Sequence, residues 1–216
     1  MRDVFPLYRD KTLDNFETLG NPSLENAVNQ CRGYIERVKL AKDKGLGLTF
    51  VGENGVGKTH LACAVLKEVV ANREVSRDGG ECIALATWMG MYQELFRTQD
   101  RLKVADPDES ETTKARKLER RLGWIRETSF LLLDDLGREH ASVSGWSSEM
   151  VFDLLRYRHV CCLPTLITTN IPNENPNAPM DLRRRYSEGL SSWIREATII
   201  ITMEGEDYRP HVNAER

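Results

Sequence analysis

Gly52-Glu53-Asn54-Gly55-Val56-Gly57-Lys58-Thr59 stands between a short apolar run, Leu48-Thr49-Phe50-Val51, and a segment whose Leu61, Ala62, Val65, Leu66, Val69 and Val70 share one helical face. The run has strand length and composition, and the spacing behind the loop is that of a helix. A strand, a glycine-rich turn and a helix in that order are the setting in which G-x-x-x-x-G-K-[ST] binds phosphate. Glycines let successive backbone N–H groups approach and wrap an anion. The helix that opens behind them turns its unpaired N–H groups and the positive end of its dipole toward the same point. Lys58 is placed to reach β- and γ-phosphates, and the Thr59 hydroxyl to hold Mg2+. Residues Gly52 through Thr59, with His60 behind them, are the candidate nucleotide binders.

Farther along, Phe130-Leu131-Leu132-Leu133 is apolar without alternation, as a central parallel strand covered on both faces would be. Asp134 and Asp135 follow it directly. Beside a phosphate loop, the first carboxylate at such a strand end holds the Mg2+ shell and the second polarises the attacking water. As an isolated pair they also read as an ordinary exit from strand to loop. Asp135 is a methylene shorter than a glutamate in that role, so its carboxylate must reach the water. Asn170 ends the run Pro164-Thr165-Leu166-Ile167-Thr168-Thr169. It either senses the γ-phosphate from a neighbouring strand tip, where open α/β sheets bind ligands, or opens the turn before Pro172. Glu81 to Ala86 and Ala197 to Thr202 complete a set of five strand candidates.

Helical spacing occurs between them. Ala27, Val28, Cys31, Ile35, Val38 and Leu40 predict one amphipathic helix that starts at Asn21-Pro22-Ser23 and is closed by Gly45 and Gly47. Trp88 to Arg97 predicts a short helix, Ala115, Leu118, Leu122 and Ile125 another, and Met150 to Leu155 a third. Residues 98–113 are acidic and turn-rich, with Asp106-Pro107-Asp108 as the loop tip. Strands alternating with helices predict a parallel α/β sheet with right-handed crossovers.

The remaining composition bounds the class. The chain has 216 residues, enough to bury a full core without disulfides or metals, and a net charge of −3 excludes a histone-like basic protein. Five cysteines in no C-x-x-C spacing argue against a disulfide framework or a zinc site and fit a reducing, cytoplasmic compartment. The start, Met1-Arg2-Asp3, carries no signal-peptide pattern, and no apolar stretch approaches the ~20 residues of a membrane span, so no membrane partner is expected.

Taken in order, Gly57-Lys58-Thr59-His60-Leu61-Ala62, Leu131-Leu132-Leu133-Asp134-Asp135-Leu136-Gly137, Tyr157-Arg158 and Leu163-Pro164-Thr165-Leu166-Ile167-Thr168-Thr169-Asn170 resemble the AAA+ ATPases of the DnaC/DnaI helicase-loader and IstB-like group. Asp207-Tyr208-Arg209 resembles the group's closing motif, and the likeness runs from about residue 12 to 209. The resemblance implies a P-loop NTPase of the AAA+ type, a three-layer α/β sandwich with a five-stranded, mostly parallel sheet. It implies a Mg2+-dependent ATPase that forms homo-oligomers on single-stranded DNA and acts on a replicative helicase or, in the transposition-helper branch, a transposase. It assigns Mg2+ to Asp134, the water to Asp135 and the γ-phosphate sensor to Asn170. Asn15-Phe16 resembles a segment that lies near the nucleotide in the group, and a simple packing role fits it equally. Residues 1–45 are expected to form an N-terminal helical segment and 46–216 the ATPase core.

Two departures stand out. Only some 50 residues precede the loop, so the separate helicase-gripping domain such loaders usually carry is not expected here; a partner or the N-terminal helix would supply that contact, or the chain is not a loader in the usual sense. The group's C-terminal helix resembles an R-I-x-x-R-I pattern whose second arginine acts across the subunit interface. Counted back from Asp207 without gaps, Gly189 and Trp193 occupy those places, and Arg183, Arg184, Arg185 and Arg195 lie near. A shifted helix would present Arg185 or Arg195 as the finger. Without one, the chain would be a slow ATPase or a non-hydrolysing ATP-dependent switch.

For DNA, Lys114, Arg116, Lys117, Arg120 and Arg121 against Glu119 make a basic helix, masked in the chain total by Asp106, Asp108, Glu109 and Glu111. In related loaders and initiators, helices between the second and third strands line the single-stranded DNA path. A solvated mixed-charge face is the other reading of these residues. Trp88, Tyr92 and Phe96, four apart, are either bases' stacking partners or core.

Overall fold

The computed structural model describes residues 5–103, 109–137, 146–172 and 180–208. The loop tip expected at Asp106-Pro107-Asp108 and the Arg209 of the closing motif lie outside them.

Strands β1 (Gly47–Gly52), β2 (Gly80–Ala84), β3 (Phe130–Leu136), β4 (Thr165–Thr169) and β5 (Thr198–Met203) form one sheet in the order β2-β3-β4-β1-β5. Every strand pairing in it is parallel, so the sheet is fully rather than mostly parallel. Side chains alternate between its faces with period two. Phe130, Leu132 and Leu166 enter one buried cluster, and Leu131, Leu133 and Ile167 enter the other. Both faces are therefore covered, which explains the unbroken apolar run in β3.

On the first face lie α1 (Pro22–Glu36), α2 (Val38–Asp43) and α3 (Lys58–Ala71). On the second lie α4 (Leu85–Leu102), α5 (Glu109–Glu127), α6 (Trp146–Val160) and the short pair α7 (Leu182–Arg185) and α8 (Glu188–Ala197). No helix among the described residues is long and apolar enough to cross a membrane.

Asn21 caps α1 through its side-chain oxygen, which accepts from Ser23 N and Leu24 N, and Pro22 sits where no donor is needed. The single helix expected before β1 is two. The chain leaves helical geometry at Arg37, and the Tyr34 hydroxyl donates to Leu46 O at 2.9 Å, folding α2 back toward β1. Leu40, counted to the apolar face, is 54% exposed, because two residues beyond the buried Val38 is the opposite side of a helix. Between the second and third strands, α4 and α5 are longer than their apolar spacing indicated and take in most of the stretch expected to be turn-rich. Their amphipathic surfaces pack on one another, and that packing extends marginal helix ends. The strand expected to reach Ala86 gives way to α4 at Leu85.

Candidate nucleotide site

The strand order places β4 between β1 and β3. The carboxyl-terminal tips of these three strands carry the phosphate loop, Asn170 and the Asp134-Asp135 pair, so parts separated by more than a hundred residues meet at one edge.

The loop is shaped by its glycines. Gly57 holds φ +95° as the residue before α3, and a Cβ there would lie 2.4 Å from the Phe16 ring. Gly55 holds φ +81°, and a Cβ there would strike the Asp207 carboxylate. Both positions need glycine for its left-handed backbone and its lack of a side chain. Lys58 is buried, and its Nζ donates to the carbonyls of Gly52 at 2.8 Å and Glu53 at 2.7 Å. The ammonium thus sits within the bowl of the loop, where a bound phosphate needs a cation.

At the end of β3 the ladder slips. Leu133 pairs with Ile167 and Leu136 with Thr169, so Asp134 and Asp135 together face Thr168. This is a β-bulge of two residues against one. Asp135 absorbs the extra length at φ +62°, a conformation that costs a non-glycine residue roughly 1 kcal/mol. Thr168, fully buried, joins the two acids: its hydroxyl donates to Asp134 Oδ1 at 2.6 Å and accepts from Asp135 N at 2.9 Å. Asp134 Oδ1 also accepts from the Thr59 hydroxyl at 2.9 Å. Burial raises the Asp134 carboxyl above the ordinary aspartate value, with Asp135 adding to the rise, while Thr168, Thr59 and Lys58 pull it back. An added cation at this point would favour the carboxylate further. Thr59 and Asp134 offer hard oxygens within hydrogen-bonding reach of each other, the donor set that suits Mg2+ completed by phosphate and water.

Asn170 donates from Nδ2 to Asn54 Oδ1 at 2.8 Å, which spans the gap from β4 to the loop. His60, counted among the candidate binders, is engaged elsewhere. Its Nε2 lies 2.8 Å from Thr12 O, and its ring meets Phe16 edge-on with centroids 5.0 Å apart. Burial is the main cause that lowers its proton affinity, which suits a neutral ring donating to a carbonyl. Asn15 closes a turn with Thr12, and Phe16 lies against the loop. From the other terminus, Tyr208 N donates to Gly55 O at 3.2 Å, and the Tyr208 hydroxyl donates to Glu17 at 2.6 Å. Two segments, residues 12–17 and 204–208, thus flank the loop. Their approach left no periodic signal in the sequence; only Asn15-Phe16 and Asp207-Tyr208 stand out there, by resemblance.

Of the arginines near the C-terminal helices, Arg195 is exposed on α8, and Arg185 on α7 is half-buried with its guanidinium 5.6 Å from the Tyr186 ring centre. Trp193, at the counted-back finger position, is buried and meets His159 edge-on, so that position belongs to the core. Gly189 is exposed.

The basic helix divides in two. Arg121 makes a two-pronged pair with Glu81, whose carboxylate is 1% exposed and also accepts from Trp124 Nε1. Lys114 pairs with Glu94 of α4. Both therefore fasten α5 to its neighbours. Arg116, Lys117 and Arg120 are exposed on the same helix and make no ion pair among the described residues. The aromatic row runs from core to solvent: Trp88 is buried, Tyr92 half-buried and Phe96 exposed, each ring touching the next.

No protein-family model matches the chain. Over 133 residues it is 32% identical to the replicative helicase loader DnaI of Bacillus subtilis (strain 168), a match covering 61% of this chain and 35% of that protein. The chain thus spans about a third of that relative's length. Among solved structures, the crystal structure of the DnaC helicase loader superposes with a TM-score of 0.66 and 26% identity, covering 92% of this chain and 99% of that one. The replication initiator DnaA, solved bound to AMPPCP and single-stranded DNA, superposes with a TM-score of 0.63 over 94% of this chain and 51% of that one. At 16% identity its likeness is one of fold.

Proposed function

We propose that this chain, a P-loop protein of the AAA+ type similar to the DnaI and DnaC helicase loaders, is a Mg2+-dependent ATPase of DNA replication that acts on single-stranded DNA and loads or remodels a replicative helicase. The observation that carries the reading is the convergence of Lys58, Thr59, Asp134, Thr168 and Asn170 at one sheet edge. In this reading the loop N–H groups and Lys58 bind the β- and γ-phosphates of ATP. Thr59 and Asp134 hold Mg2+, which supplies charge neutralisation at the phosphates when bound. Asp135, set apart by the bulge, orients the attacking water, and Asn170 reads the γ-phosphate. Arg195 or Arg185 completes the site of a neighbouring copy in a homo-oligomer. Arg116, Lys117 and Arg120 supply the phosphate contacts to single-stranded DNA. Likeness to the two loaders and the shared DnaA fold support the replication role.

ATP turnover measured with and without single-stranded DNA tests the enzyme reading: the natural chain turns over, and Lys58→Ala abolishes turnover. Affinity capture with Asp135→Asn in the presence of ATP tests the partner. Recovery of a helicase supports loading, and recovery of a transposase instead rejects it. The burial of Trp193 at the counted-back finger position favours a second reading, an ATP-binding switch that does not hydrolyse. Tight ATP binding without turnover would establish it.

A further inference from the structure

We propose that Asn54 is a positioning residue that sets which end of the Asn170 amide faces the γ-phosphate. The proposal rests on the nucleotide reading above. In G-x-x-x-x-G-K-[ST] the variable positions carry no defined chemistry, so the motif is silent on residue 54. The fold is not silent. Asn170 Nδ2 donates to Asn54 Oδ1 at 2.8 Å, and Asn170 Oδ1 is buried with no hydrogen-bond partner among the described residues. One bond, to Asn54, therefore decides the orientation of this side chain.

The consequence follows from the shape of a primary amide. Its oxygen and its NH2 group are nearly the same size, so packing alone distinguishes them poorly; hydrogen bonding does. An acceptor at position 54 holds the NH2 end toward the loop. That group has a second hydrogen, which remains for an oxygen of the γ-phosphate. The flipped amide would set its oxygen against Asn54 Oδ1 unless Asn54 turned over as well, and in either case it would offer the phosphate a lone pair, which repels. The two residues lie just past the ends of neighbouring parallel strands, β1 and β4, whose last register partners are Val51 and Thr169, so the sheet brings them together. Asn54 thus makes Asn170 a donor at the one place where ATP and ADP differ.

The test uses the full chain, with AMPPCP and ADP titrated separately in the presence of Mg2+ by calorimetry. Asn54→Ala is expected to weaken AMPPCP about ten- to a hundredfold, the weight of a hydrogen bond to a charged group, and to leave ADP within about twofold. Asn170→Ala gives a loss of similar kind, and the double variant is no weaker than Asn170→Ala alone, because the two residues act as a unit. A merely structural role would lower both affinities together and would overturn the proposal. So would an unchanged AMPPCP-to-ADP ratio in Asn54→Ala. An Asn54→Ala effect that persists undiminished in the Asn170→Ala background would also overturn it, since Asn54 would then act on the phosphate directly. If the natural chain binds neither nucleotide, the nucleotide reading itself falls, and the role of Asn54 with it.

Discussion

Thr168 shows how one hydroxyl organises two acids. It donates to Asp134 and accepts from the backbone of Asp135, and both contacts exist because the bulge sets two residues of β3 against one of β4. Thr168→Val keeps the volume and the branching and removes both bonds. Loss of a group that orients a metal-binding carboxylate typically costs about 10–100-fold in metal affinity or activity. Thr168→Val is therefore expected to raise the Mg2+ concentration needed for half-maximal turnover by about tenfold or more. A stability loss of only ~1–2 kcal/mol in urea should accompany it. An unchanged Mg2+ requirement would show that Thr168 merely packs. The sequence displayed Thr168 and Thr169 ahead of Asn170 without distinguishing their roles. Strand register makes the distinction, and register between distant strands leaves no local trace.

At the scale of the element, the basic residues of α5 divide into a fastened set and an exposed one. Arg121 belongs to the edge of the sheet: it neutralises Glu81, whose carboxylate lies almost fully buried on β2. Removing one partner of such a pair leaves an uncompensated buried charge. Arg121→Ala is expected to destabilise the fold by about 2–4 kcal/mol, read from urea melts. The combined change of Arg116, Lys117 and Arg120 to Ala should leave the melts within about 0.5 kcal/mol, as for exposed positions. It should instead flatten the dependence of single-stranded DNA affinity on log salt by about 2, since each phosphate contact contributes ~0.7. A triple variant whose salt slope matches the natural chain would remove α5 from the DNA path. Sequence spacing marked all five basic residues alike, because their i, i+3 and i+4 neighbours were visible and Glu81 and Glu94, on other elements, were not.

For the whole molecule, Arg158 is the tie at the pole opposite the nucleotide edge. It is fully buried on α6 and meets no carboxylate among the described residues; its guanidinium donates to Ile125 O, Arg126 O and Thr128 O at the end of α5, and to Pro164 O and Thr165 Oγ1 where β4 begins. The carbonyls at a helix C-terminus lack partners of their own and carry partial negative charge, so a planar cation satisfies several at once. Burial lowers its proton affinity below the ordinary arginine value while leaving it charged at neutral pH. Arg158→Lys cannot reproduce five donations from one plane and is expected to cost ~2–4 kcal/mol. Arg158→Met, which leaves the carbonyls without donors, should cost at least as much. Thermal or urea melts check both. Equal stability of either variant and the natural chain would mean that water replaces the guanidinium.

Local regularities made much of this legible. Five strand candidates, their alternation with helices, the phosphate loop and the acids after Leu133 are all short-range patterns, governed by the pleat, the helical repeat and the needs of a bound phosphate. They predict the parallel sheet and name the residues at its functional edge. What the tertiary structure alone decided is which of those residues face one another. The strand order brings Asn170 between the loop and Asp134. A register slip sets Asp135 apart, and Trp193 turns inward to the core. Segments from both ends of the chain close on Gly55 and Gly57. Each of these depends on pairings between residues far apart in sequence, made favourable by burial and by hydrogen bonds that exist only once the sheet has formed.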